Sequence, residues 1–171
     1  MNLQPSLTGK RISLRPLRIE DFDDLYFAAS DPEIWEQHPS SDRYKKDIFI
    51  KFFNQAIESK GAFAVIDPVT DYIIGSTRFY DYDPVKRQVI IGYTFLAKEY
   101  WGLNYNREMK HLLLKHAFEY VDKVIFEVGK TNIRSQKAME KLSAQIINEK
   151  TLDQTSHLIY QIKKSDFNPL L

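Results

Sequence analysis

The sequence predicts an α+β domain, a mostly antiparallel mixed sheet carrying helices on both faces. Three observations carry this expectation. Hydrophobic period switches between two and 3.6 residues in the order β-α-α-β-β-β-α-β-α-β-β. The three strand segments between residues 62 and 96 are separated only by short turns, which suits an antiparallel meander. Residues 88 to 128 form the one clearly patterned strand–loop–helix–strand crossover, which builds a mixed sheet. No repeat, low-complexity tract or linker interrupts the chain, and 171 residues fit one domain over 1–171.

Each element has its own signal. Residues 11 to 17 alternate polar and apolar and read as a strand ending at Pro16. From Ile19 to Ser30, Phe22, Leu25, Tyr26 and Ala29 recur on one helical face, and Asp31-Pro32 breaks the pattern. Ser40, Ser41 and Asp42 offer capping oxygens for a second helix carrying Tyr44, Ile48, Phe52 and Ile57, which Gly61 ends. Strands follow at 62–66, 72–80 and 88–96, with turns at 67–71 and 81–84. Val89-Ile90-Ile91 is apolar on both faces and suggests a central strand. A loop over 98–106 leads into an amphipathic helix from about Arg107 to Val121, with Met109, Leu112, Leu113, His116 or Ala117, and Tyr120 inward. Val124 to Val128 is rich in β-branched residues and reads as a strand. Asn132 can cap a short helix, and 144–148 and 157–162 close the sheet.

Composition narrows the function. With 43% hydrophobic residues, 11 Phe and 10 Tyr, the chain can fill a core. Its 24 basic and 23 acidic residues leave no basic excess, so nucleic acid is not an expected partner. Residues 1 to 10 lack the apolar stretch of a signal peptide, and no run approaches the roughly 18 apolar residues that cross a bilayer. A cytoplasmic protein without a membrane partner, monomeric or homodimeric, is the expectation. The absence of cysteine removes thiolate nucleophiles and cysteine-ligated metals. His38, His111, His116 and His157 show no ligand spacing, so no metal is expected. Glycine is scarce, at six residues, so any phosphate-rich ligand must be held with few of them.

The loop over 98–106 and the start of the following helix are the strongest candidate site. A helix N-terminus offers unpaired N–H groups and partial positive charge to an anion, and this one follows a central strand. An ordinary strand-to-helix connection has the same outline.

The residues here carry a resemblance. Tyr100-Trp101-Gly102-Leu103-Asn104-Tyr105-Asn106-Arg107, then His116-Ala117-Phe118, then Asn132-Ile133-Arg134-Ser135 resemble the GNAT N-acetyltransferase superfamily. They resemble in particular its branch of bacterial ribosomal-protein N-terminal acetyltransferases. Leu14-Arg15-Pro16-Leu17, Asp31-Pro32-Glu33-Ile34-Trp35 and Ile74-Gly75-Ser76-Thr77-Arg78 match that branch's opening and middle strand. The likeness covers about residues 7 to 163 and implies the GNAT fold with acetyl-CoA as co-substrate.

It also implies roles. The family's phosphate loop maps onto Trp101 to Arg107. Asn104 and Asn106 stand where small residues are usual, and Gly102 matches a glycine one step earlier. Asn tolerates the left-handed conformation better than most residues, so the loop geometry can survive. Tyr93, Thr94, Phe95 and Leu96 match the strand that splays from its neighbour and pairs with the pantetheine arm, with an N–H near Phe95 acting on the thioester carbonyl. Many relatives carry Glu where Ile90 stands. By the same resemblance Asn132 holds the cofactor arm and Ser135 protonates the leaving thiolate, although Asn132 also reads as a plain helix cap. Glu127 is the candidate base, or else the partner of a cation such as Arg78 or Lys130. Trp35, His38, Arg78 and Tyr80 are candidate acceptor-binding residues, and Lys137 a further cofactor contact. Lys110, Lys137 and Lys141 read either as contacts of a 3′-phosphate or as a solvated basic face.

The function implied is acetyl transfer from acetyl-CoA to a primary amine, on a small molecule or a peptide N-terminus, by direct attack in a ternary complex. Glu33, Glu36 and Asp81 are available to make an acidic pocket for a small amine. A non-catalytic acyl-CoA binding or sensing domain of the same fold is the alternative.

Overall fold

In the computed structural model, which describes residues 1–152 and 154–168, the strands form one eight-stranded sheet. They are β1 (Leu7–Thr8), β2 (Ser13–Pro16), β3 (Ala62–Ile66), β4 (Ile73–Asp83), β5 (Gln88–Leu96), β6 (Lys123–Gly129), β7 (Gln145–Leu152) and β8 (Thr155–Lys163). The helices are α1 (Phe22–Ala29), α2 (Lys46–Glu58), α3 (Tyr105–Ala117) and α4 (Ile133–Lys141). The sheet order is β1-β2-β3-β4-β5-β6-β8-β7, and among the described residues only the β5–β6 pair is parallel. That pair is the one joined by the 88–128 crossover, as the pattern requires.

Two apolar layers sandwich the sheet. Phe63, Val65, Phe79, Val89, Ile91, Val124 and Phe126 pack with Met109, Leu113 and Ala117 of α3 and Met139 of α4. Ala62, Ala64, Ile73 and Phe95 face the other way, against Leu25 and Ala29 of α1 and Phe49, Phe52, Phe53 and Ala56 of α2. Small residues on that side of β3 leave room for the aromatic faces of α2. A fully buried Phe contributes roughly 1.5–3 kcal/mol, and Phe49 and Phe53 are both essentially inaccessible.

Several boundaries differ from the sequence expectation, among them the end of α3 at Ala117 rather than Val121 and that of β7 at Leu152 rather than 148. The two residues of β1 are too few to show a period. Helix α2 begins at Lys46, not beside Ser40, because that capping group is used elsewhere. The Ser40 N–H donates to His38 Nδ1 at 2.9 Å, and its hydroxyl accepts from Arg43. Helix α3 begins two residues earlier than expected, because the Asn104 carbonyl accepts from the Glu108 N–H and starts the helical ladder. Among the described residues no helix is long and apolar enough to cross a membrane.

Candidate active site

Strands β5 and β6 pair only at Gln88–Lys123, Val89–Val124 and Ile90–Ile125. Beyond them β5 turns away. Arg78 of β4 faces Gly92, but Ser76 faces Phe95, so Tyr93 and Thr94 together oppose Thr77. This bulge puts Tyr93 at φ 52° and bends the strand. A cleft of about 870 Å³ opens between Ile91–Leu96 and Phe126–Gly129, closed at its ends by the starts of α3 and α4 and by residues 34 to 39. Main-chain groups of β5 along this stretch lack a β6 partner, which suits an added extended ligand.

On the α3 side, backbone conformation dominates. Gly102 adopts φ 74° and Asn104 φ 67°, so the connection makes two left-handed steps before the helix. Asn104 thus does what the sequence requires of it. Asn106 lies inside the first turn of α3 and needs no unusual φ. The first N–H groups of that turn have no intrahelical acceptor. Asn104, Asn106, Arg107, Lys137 and Lys141 line the cleft. Lys110 corrects the expectation of a solvated basic face. It is 3% exposed, and its ammonium donates to Thr94 Oγ1 at 2.5 Å beside the Phe126 ring. Burial lowers its pKa to about 7. Leu103 is half exposed and Tyr105 packs on Tyr100, and neither lines the cleft. Trp101 lines it, but its indole N–H is bound to the Leu96 carbonyl at 2.9 Å and its ring carries the Arg134 guanidinium at 4.0 Å.

On the α1–α2 side, side chains dominate. Trp35 and His38 line the cleft, their rings edge-to-face. Trp35 is anchored by an N–H bond to the Ala29 carbonyl at 2.8 Å and touches Phe95 and Phe52. Burial, with Arg43 and His157 adding repulsion, lowers the His38 pKa to about 3, so its ring is neutral. Arg78 and Tyr80 lie on this same face but behind the lining. Tyr80 passes over Gly92, where a Cβ would meet its ring at 2.9 Å. Its hydroxyl donates to Glu127 Oε2 at 3.0 Å, and burial followed by the nearby carboxylate raises its pKa. Glu127 lines the cleft and pairs with Lys150 at 2.7 Å; Lys130 instead pairs with Glu149. Glu33 is bound to Lys98 on the surface, and Asp81 is exposed, so neither makes the pocket acidic.

Helix α4 joins the two sides. Asn132 is its N-cap, accepting from the Ser135 N–H at 3.1 Å, and both residues line the cleft. The Arg134 N–H donates to Gln37, and its guanidinium to the carbonyls of Glu33 and Ile34 at 3.3 and 3.2 Å. Arg134 therefore straps the α1–α2 connection across the cleft. Sequence reading missed the roles of Arg134, Gln37, Arg43, Lys150 and His157. Their partners lie tens of residues away, and no local pattern announces them.

The sequence profile of the acetyltransferase (GNAT) domain matches residues 11–145. The uncharacterized N-acetyltransferase p20 of Bacillus licheniformis is 28% identical over 147 residues, covering 82% of each chain. A GCN5-related N-acetyltransferase from Brucella melitensis superposes with a TM-score of 0.85 at 17% identity, over 96% of this chain and 80% of the other. A spermidine N-acetyltransferase from Vibrio cholerae, solved with CoA and spermine, gives 0.71 at 16% identity, over 92% and 98%. At these identities the solved structures establish a shared fold. The profile match extends over most of the chain, from the β2 region to the start of β7, and with it the chain belongs to the GNAT acetyltransferase family.

Proposed function

We propose that this chain transfers an acetyl group from acetyl-CoA to a primary amine by direct attack in a ternary complex. The observation that carries the reading is the split between β5 and β6. It joins a helix-start anion site on one side to a wall of side chains on the other. The N–H groups from Gly102 to Arg107, with Arg107 and Lys137, hold the pyrophosphate. The free edge over Tyr93–Leu96 takes the pantetheine arm, and a main-chain N–H at Phe95 stabilises the developing oxyanion. Acetyl-CoA supplies the activated carbonyl.

The amine enters from the α1–α2 side, between Trp35, His38 and Glu127. Its nitrogen forms the new bond to carbon as the carbon–sulfur bond breaks. Glu127, paired with Lys150, accepts the amine proton directly or through a water. The Ser135 hydroxyl, steadied at the Asn132 cap, donates to the thiolate. No cysteine exists to carry an acetyl intermediate, in keeping with direct transfer.

Free-thiol release from acetyl-CoA, measured against a panel of amines and peptide N-termini, tests the transfer. Thermal stabilisation by CoA tests the binding separately. Release with at least one amine supports the reading, whereas CoA stabilisation with no release from any amine replaces it with an acyl-CoA binding domain. Ser135→Ala is expected to lower turnover on the order of 100-fold with little change in CoA affinity; unchanged turnover removes Ser135 from the mechanism.

A further inference from the structure

Behind Tyr93 and His38 the α1–α2 face holds two guanidinium groups and no carboxylate bound to either. Arg78 is 6% exposed, and its Nε and Nη2 are buried with no hydrogen-bond partner. Its guanidinium lies 4.1 Å from the centre of the Tyr93 ring and 5.8 Å from that of Phe52. Arg43 sits on the same Phe52 ring at 4.6 Å and near Trp35 at 5.5 Å. Its hydrogen bonds are long and go to neutral groups, His38 at 3.4 Å and the Ser40 hydroxyl at 3.5 Å. The two cations repel each other, and burial is the main influence on both.

The surrounding groups do not supply the missing charge. The groups favouring the charged form of Arg78 are the phenols of Tyr93 and Tyr80. Asp42, the acid that acts on Arg43, is part-buried, and its pull is the weakest of the influences on that guanidinium. Glu127, which lines the same cleft, is already taken by Lys150 and Tyr80. A buried cation without a partner is destabilising, and orphaned buried donors are rare enough to demand a cause. Ring stacking offsets part of that cost but uses none of the in-plane N–H groups. Those N–H groups match a planar carboxylate, which accepts two at once.

We propose that the acceptor is an amine that also carries a carboxylate, and that Arg78 and Arg43 receive this carboxylate behind Tyr93 while the amine faces Glu127. This rests on the acetyl-transfer reading and deepens it by naming the substrate class. It predicts selection against polycationic amines, because a second cation placed beside two guanidiniums is repelled. Arg78 and Arg43 are binding residues in this scheme and take no part in the proton transfers.

The test uses ω-amino acids of two to six carbons and glutamyl dipeptides, each beside its carboxamide counterpart, with spermidine as the cationic probe. Thiol release should favour at least one acid over its amide by tenfold or more in kcat/KM. Arg78→Met should remove that preference chiefly through KM, and Arg78→Lys should keep part of it. Equal rates for acids and amides, or spermidine as the best acceptor, overturn the proposal. Binding is read independently of turnover by thermal shift, with the N-acetylated acids and amides added to protein saturated with CoA. Stabilisation by the acid alone, lost in a folded Arg78→Met, supports the proposal even if no amine is turned over, an outcome that sinks the transfer reading instead. Acid and amide acting alike, or unchanged acid binding in Arg78→Met and Arg43→Met, overturns it. If Arg78→Met does not fold, Arg43→Met and Arg78→Lys decide the same comparison.

Discussion

The two sides of the cleft are built from different materials. The α3 side is made of main chain: two left-handed residues, a helix start and an unpaired strand edge, with lysines and arginine at the rim. The α1–α2 side is made of side chains: Trp35, His38, Arg43, Phe52, Arg78, Tyr80, Tyr93 and Glu127 lock together through rings and hydrogen bonds. Main-chain sites depend on conformation and tolerate any side chain that permits it. Side-chain sites depend on identity. The first kind suits a co-substrate common to a family, and the second suits the discrimination of acceptors.

This contrast can be broken most directly at Trp35. It is 2% exposed, bonded to Ala29 and packed on Phe95. Trp35→Ala is expected to cost about 3–5 kcal/mol, read as a fall in the denaturant midpoint, and to weaken acceptor binding more than CoA binding. Equal losses for both ligands would mean that the two sides are not independent.

His38 gives the next largest effect. Its folded pKa of about 3 lies below the usual 6.5, chiefly through burial. The unfolded chain therefore binds more protons between those values, and stability falls as pH drops through that window. The neutral ring's contribution is complete above pH 6.5 and declines by about 2 kcal/mol at pH 5. Urea melts of the protein and of His38→Gln at pH 7.5 and 5 should converge as pH falls. Parallel pH dependence in the two would show that other groups carry the acid sensitivity.

A glycine at position 104 gives the smallest effect and sharpens the contrast from the other side. Asn104→Gly keeps the left-handed step and should change stability by less than about 0.5 kcal/mol, with CoA affinity retained. Asn104→Val must hold a β-branched residue at φ 67° and should cost about 1–3 kcal/mol and weaken CoA binding. If both variants bind CoA alike, the loop's conformation is not what holds the phosphates.

The meander, the crossover and the amphipathic helices were legible because each writes its period into adjacent residues. Tyr93–Leu96, Asn132 and Ser135 were found by resemblance and do line the cleft. Trp35, His38, Arg78 and Tyr80 were named as acceptor residues and gather on one face, although Arg78 and Tyr80 stand behind the lining. Lys110 is not on a solvated face, although a lysine in an amphipathic helix reads as solvated. Only the fold shows Thr94 waiting for its ammonium inside. Glu127 was expected to meet Arg78 or Lys130 if it met a cation, but the partner is Lys150 on β7, at the edge of the sheet.

By itself the sequence determined the order of elements from β2 onward, the left-handed tolerance at Gly102 and Asn104, the absence of a thiol and the family's outline. These are properties of neighbours in the chain, of one residue's allowed φ, or of composition. Only the tertiary structure decided where β5 and β6 part, that β8 lies inside β7, and that Arg43 and Arg78 share one aromatic shelf without an acid. Strand pairing and buried charge are settled by residues far apart in sequence, through packing and desolvation, which no local pattern records.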